Sequence, residues 1–97
     1  MPNKTKVIAN IRAKVGKGAE LKLELEKLVE PSRGDAGCEH YELQADIKDS
    51  DHFFMIETWV NADALAAHVE TSHFQNFIKG TEAIMDSIEV SEVETVR

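Results

Sequence analysis

The run Phe53-Phe-Met-Ile-Glu-Thr-Trp-Val60 limits the folding of this chain more than any other stretch. Over its first half it is apolar at odd and even positions alike. A strand of that kind is a central one, covered on both faces. The chain must therefore supply neighbouring strands for it, and something to lie against each side of the sheet.

The neighbours are legible on either side. From Lys6 to Val15, Val7, Ala9, Ile11, Ala13 and Val15 alternate with Ile8, Asn10, Arg12 and Lys14, which predicts a strand ended by Gly16 and Gly18. Glu20 to Glu30 carries Leu21, Leu25, Leu28 and Val29 at helical spacing, with Leu23 off the stripe, exposed or meeting a partner. Pro31 is expected to stop this helix by disfavouring helical geometry at Glu30. Ser32 to Gly37 reads as a loop, and its Arg-Gly-Asp carries no weight as an adhesion motif. Cys38 to Ile47 alternates again, and Lys48 to Asp51 is a polar turn joining it to the run from Phe53 as a hairpin. Asn61 caps a short helix over Ala62 to Val69. Ser72 and Gln75 form a capping box for a second helix, striped by Phe74, Phe77, Ile78, Thr81, Ile84 and Met85. Ile88 to Val96 is a last strand, with a bulge expected between Val90 and Val93.

The order β-α-β-β-α-α-β is the ferredoxin-like α+β arrangement, a four-stranded antiparallel sheet with helices on one face. One domain over residues 1–97 is expected from the length. The second sheet face also needs cover, which predicts a homodimer packed sheet against sheet about a two-fold axis. A net charge of −7 argues against nucleic acid and anionic membranes as partners. A single cysteine, Cys38, excludes an internal disulfide and suits a reducing cytoplasm. It is expected as a small buried hydrophobe. Neither a signal-peptide h-region nor an apolar run of roughly 18 residues is present in the sequence, so the cytoplasm is the expected location.

Four segments carry a resemblance to a known family: Val7-Ile-Ala-Asn-Ile-Arg-Ala-Lys-Val-Gly16, Gly37-Cys-Glu-His-Tyr41, Ile56-Glu-Thr-Trp59 and Ala64-Leu-Ala-Ala-His-Val-Glu-Thr-Ser-His-Phe74. As an ordered set they resemble the antibiotic biosynthesis monooxygenase family, in particular its small quinol-monooxygenase-like members. The resemblance implies a dimeric α+β barrel with a pocket between the sheet and the helices of each subunit. It implies an oxygenase that needs no cofactor, neither flavin nor metal, and acts on a phenolic or quinol-like aromatic with O₂. Other members degrade haem or process small non-aromatic molecules. The haem-degrading branch places an iron-ligating His after the position equivalent to Phe74, and Gln75 to Gly80 contains none. Asn10 does resemble that branch's strand-one Asn, and His68 falls near its Trp.

An oxygenase of this kind needs a base, a dry pocket and donors for developing charge. His68 and His73 are the candidate bases, since imidazole titrates near working pH. Against this, His68 would be a helix-surface residue and His73 a brace for the interhelix turn. Asn10, a poor strand former, is the third candidate catalytic residue, orienting a substrate oxygen; a satisfied amide or a dimer contact is the other reading. Trp59, Tyr41, Phe74 and Phe77 are candidate substrate-binding walls as well as core. His68 and His73 lie five apart, off the i,i+4 spacing of a helical metal pair, and no metal site is expected. His40 and His52 read as isolated and exposed, and Glu57 as a cross-sheet partner of Arg12. The leading reading is a cytoplasmic, dimeric, cofactor-independent monooxygenase. The alternative is a non-oxidative binding or isomerising protein on the same fold, and a weaker third is an interaction module whose dimer is its function.

Overall fold

The alternating N-terminal stretch forms strand β1, Thr5–Ala13, in the computed structural model, which describes residues 4–97. Helix α1 (Gly18–Arg33), strands β2 (Cys38–Ala45) and β3 (His52–Trp59), helices α2 (Ala62–Val69) and α3 (Ser72–Gly80), and strand β4 (Met85–Val93) follow. The four strands make one antiparallel sheet in the order β2-β3-β1-β4. This is the ferredoxin-like α+β arrangement expected, with β3 central as its two-faced apolar run requires.

Register decides which residues share a face. Val7, Ala9 and Ile11 of β1 lie opposite Glu57, Met55 and Phe53 of β3, and all are buried on the helix side. Leu21, Leu25 and Leu28 of α1 close over them. Burying each such side chain contributes about 1.5–3 kcal/mol. Ile8, opposite Ile56, and Asn10, opposite Phe54, point to the other side, where these residues are only half-buried.

Helix α1 has no side-chain cap of its own at Lys17. Instead Asp51, from the β2–β3 turn, accepts the Gly18 N–H at 2.8 Å and the Gly16 N–H at 3.0 Å. Glycine is needed at position 18, because a Cβ there would stand 1.9 Å from the Ser50 carbonyl oxygen.

Several local expectations are corrected. Pro31 does not stop α1, which runs on to Arg33. Proline disfavours helical geometry before it but does not forbid it, and in the last turn the bonds beyond it persist: the Gly34 N–H reaches Glu30 and Pro31 carbonyls. Thr71, not Ser72, caps α3, accepting the Phe74 N–H, while the Gln75 amide donates to the Val69 carbonyl. Helix α3 ends at Gly80, so Met85 belongs to β4. The ladder is unbroken between Val90, opposite Ala9, and Val93, opposite Lys6; the register slips at Arg12/Ala13 instead. Val90 and Val93 simply lie on opposite faces, as residues three apart on a strand do. Asn61 caps α2 as expected, accepting the Ala64 N–H at 2.9 Å. Among the described residues no helix is long and apolar enough to cross a membrane.

Candidate active site

Between the helix side of the sheet and the three helices lies an apolar cavity of about 120 Å³. Val7, Ala9 and Ile11 of β1 and Met55 of β3 form its floor, with Leu25 and Leu28 of α1 on one side. Phe74 and Phe77 of α3 and Leu65 and Val69 of α2 close it, and Ile88 and Val90 of β4 complete it. Val90 is 60% exposed and lies at the mouth. Three of the lining residues carry polar groups: Tyr41, Glu57 and His68.

His68 is 2% exposed, set at the end of α2 by the helix's one buried position. Its Nδ1 stands 2.7 Å from Oδ2 of Asp35. A carboxylate oxygen accepts, so Nδ1 carries the proton and Nε2 holds a lone pair. That Nε2 is buried and has no hydrogen-bond partner among the described residues. Burial holds the His68 pKa below its ordinary value, against the raising effect of Asp35, so the ring is neutral at pH 7. The imidazole is walled by Trp59, Phe74 and Tyr41, with ring centroids 4.7, 5.1 and 5.5 Å away.

The same Oδ2 of Asp35 accepts the Nε2–H of His73 at 2.9 Å. One carboxylate thus joins the loop after α1, the end of α2 and the start of α3. A tight turn aims it: the Cys38 N–H donates to the Asp35 carbonyl at 3.0 Å, and Gly37, third of the four residues, has φ +82°. A Cβ on Gly37 would meet Ala64 Cβ at 2.6 Å and Val60 Cγ2 at 2.8 Å. Gly37→Ala is therefore expected to cost about 2–4 kcal/mol, from the left-handed backbone and overpacking together. Urea denaturation measures this; a loss below 1 kcal/mol would mean that the turn relaxes freely.

Asp35, His68 and His73 are also the groups whose donor atoms, within 4.8 Å of one another, suit a metal ion. Both nitrogens sit at hydrogen-bond distance from one oxygen, so an ion there would replace two bonds already made.

The candidate residues of the sequence divide clearly. His68, Tyr41, Phe74 and Phe77 line the cavity. His73 does not; it bonds Asp35 rather than the turn backbone and faces a shallow outer groove with Glu24 and Asn76. Trp59 is fully buried behind His68 rather than at the cavity surface, and its indole N–H donates to Glu57 Oε1 at 2.9 Å. Asn10 points to the opposite side of the sheet, because β1 alternates and its neighbours Ala9 and Ile11 face the cavity. There Asn10 Oδ1 lies 2.7 Å from Nε2 of His52. His52 is accordingly buried, not exposed, with Nδ1 held by Asp46 at 2.9 Å. His40 is exposed as expected, beside Glu42 at 3.1 Å. Cys38 is half-buried at the edge of the core, and burial, then Asp35, pushes its thiol up. Glu57 does not pair with Arg12, which faces the other way and meets Asp49 at 3.3 Å. Burial pushes the Glu57 carboxyl up to about 7, opposed by the Trp59 hydrogen bond.

Sequence reasoning does not bring Asp35 or Glu57 to this site. Asp35 shows no periodic signal, and its partners lie 33 and 38 residues away. Glu57 did leave one: it is in phase with Phe53, Met55 and Trp59, a lone acid on a buried apolar face.

Comparison with known proteins agrees with this architecture. Residues 5–80 match the model of the family described as antibiotic biosynthesis monooxygenase. The chain is 34% identical over 87 residues to a Bacillus subtilis protein named "Putative monooxygenase YcnE", covering 89% of this chain and 92% of that one. Its fold superposes on the crystal structure of PA3566 from Pseudomonas aeruginosa with a TM-score of 0.93 at 38% identity, over 100% and 98% of the two chains. A crystal structure described as an antibiotic biosynthesis monooxygenase gives a TM-score of 0.87 at 31% identity, over 96% and 99%. The chain belongs to the antibiotic biosynthesis monooxygenase family.

Proposed function

We propose that the chain is a cofactor-independent monooxygenase that oxidises a small phenol or quinol with O₂, with His68 as general base. The observation that carries this reading is the unpartnered Nε2 of His68, a residue that lines the apolar cavity. Nε2 takes the phenolic proton, and the electron-rich anion passes one electron to O₂. The two radicals join at a ring carbon, and the imidazolium returns its proton to the peroxide. Loss of the ring hydrogen as a proton then breaks the O–O bond. One oxygen atom stays on the ring as a carbonyl; the other leaves as water with the two hydrogens. Substrate gives four electrons and O₂ takes four. The fixed Nδ1–H bond to Asp35 stabilises the imidazolium between the proton transfers.

The test is oxygen uptake by metal-free protein with a panel of benzoquinols and naphthoquinols. Uptake that requires the protein and is lost in a His68→Ala/His73→Ala variant is the expected result. No uptake above autoxidation with any member would overturn the reading. A second reading rests on Glu57 and His68 facing one cavity, an acid and a base placed to enolise a carbonyl compound. Turnover that proceeds without O₂ would select it.

The active form in this reading is a homodimer packed through the outer sheet face, where Ile8, Phe54 and Ile56 are only half-buried within one chain. Light scattering at micromolar concentration should return twice the 10.8 kDa chain mass; the mass of one chain would exclude the dimer.

A further inference from the structure

Glu57 has no part in the oxygenation steps above, yet its place is not that of a stray acid. Strand β3 sets it on the cavity wall, 7% exposed, between Val7 of β1 and Tyr41 of β2. Among the described residues no lysine, arginine or histidine pairs with it, and its carboxyl takes one hydrogen bond, from the Trp59 indole. Indole N–H can only donate, so it claims Oε1 as an acceptor. In the acid form the proton then belongs on Oε2, and Glu57, a residue of the cavity wall, gains a donor.

We propose that Glu57 is a second catalytic residue: as a carboxylic acid it donates a hydrogen bond to a second oxygen of the substrate, so that the cavity selects single-ring phenols bearing such an oxygen. The inference rests on the reading of His68 as base. Its chemistry follows from the charge that His68 creates. Once the phenolic proton has left, negative charge spreads onto the ortho and para ring carbons, and a second oxygen on one of them brings the hydrogen bond of an acid close to that charge. A neutral acid there stabilises that charge, and a carboxylate would oppose it. The size agrees: apolar cavities of about 150 Å³ accept one benzene ring, and this one is about 120 Å³.

Burial sets the acid form, which gives way as pH rises through about 7. The titratable groups facing Glu57 are few. Tyr41 and Cys38 of β2 are both pushed upward in part by Glu57 itself. His68 of α2 has Asp35 behind it. Glu92 of β4 lies one strand further on, opposite Val7. The helices α1 and α3 present Leu25, Leu28, Phe74 and Phe77.

The experiment compares binding of methoxyphenols with the methylphenols of the same substitution pattern. The ether oxygen accepts a hydrogen bond and the methyl group does not. Fluorescence of Trp59, the single tryptophan, reports binding. At pH 6 at least one methoxy isomer should bind about 10–100-fold tighter than its methyl counterpart. In the native protein that preference should fade by pH 8.5. Glu57→Gln, whose amide donates at any pH, should keep it at pH 8.5, and Glu57→Leu should lack it throughout. Equal binding of every pair at both pH values, or no binding of either class, would overturn the inference. The native protein alone supplies that comparison even where a variant fails to fold. A methoxy preference without oxygen uptake from any quinol of the panel would leave Glu57 as a recognition group and remove the oxygenase reading instead.

Discussion

Asp35→Asn lowers the rate of oxygen uptake about 100-fold or more, while the fold survives. The amide can sit in either of two ways. With its oxygen in the place of Oδ2, the bonds from His68 and His73 persist, but the charge that faces the forming imidazolium is gone. With its N–H₂ there, His68 must accept at Nδ1 and carry its proton on Nε2, so Nε2 no longer offers a lone pair. Both outcomes weaken the base. The pH dependence distinguishes this from a merely structural effect. Asp35 raises the His68 pKa through its hydrogen bond and its charge, against the lowering by burial. Without that charge the acidic limb of the rate profile, where His68 becomes protonated, moves to lower pH as the maximum falls. A variant with native rate and an unmoved profile would show that Asp35 only braces the helices.

His68→Asn is expected to cost about 10²–10⁴-fold in the same assay, the usual contribution of a general base. Asparagine is short enough to keep a donor toward Asp35 and too short to present an acceptor where Nε2 stood. His68→Ala removes the whole ring beside Tyr41 and Phe74, opening a space that free imidazole can enter, and in that variant added imidazole should restore part of the rate. His73→Ala should change the rate much less, under about tenfold, because His73 supports Asp35 from outside the cavity. Equal losses for His68 and His73, with no recovery in imidazole, would deny His68 its distinct role.

The sequence carried the fold through periodicities that sterics and burial enforce. The alternation of Val7, Ala9 and Ile11, the leucines of α1 and the two-faced apolar run of β3 leave little choice of topology. It carried His68, Tyr41, Phe74 and Phe77 to the cavity because each lies in phase with a buried face. The same alternation puts Asn10 on the face of Ile8 and Arg12, away from Ala9 and Ile11, and there it bonds His52, as the reading of a satisfied amide has it. Pairing distance hid the rest. Asp35 acquires its role only when a glycine turn brings a loop under two helices, and no local pattern encodes that meeting. Charge alone pairs Glu57 with Arg12; phase turns their side chains to opposite sides of the sheet.

The shared Oδ2 of Asp35 also bears on how such a fold can diversify. Any descendant that relocates this carboxylate must re-anchor α2 and α3 together, so His68 is inherited with the roof above it or lost with it. Variation is channelled elsewhere. Leu65, Ile88 and Val90 touch the cavity without carrying a bond of that junction, and exchanges there reshape what enters while the proton chemistry stays intact. New ligands would be reached by carving the wall, with the Asp35 junction handed down unchanged.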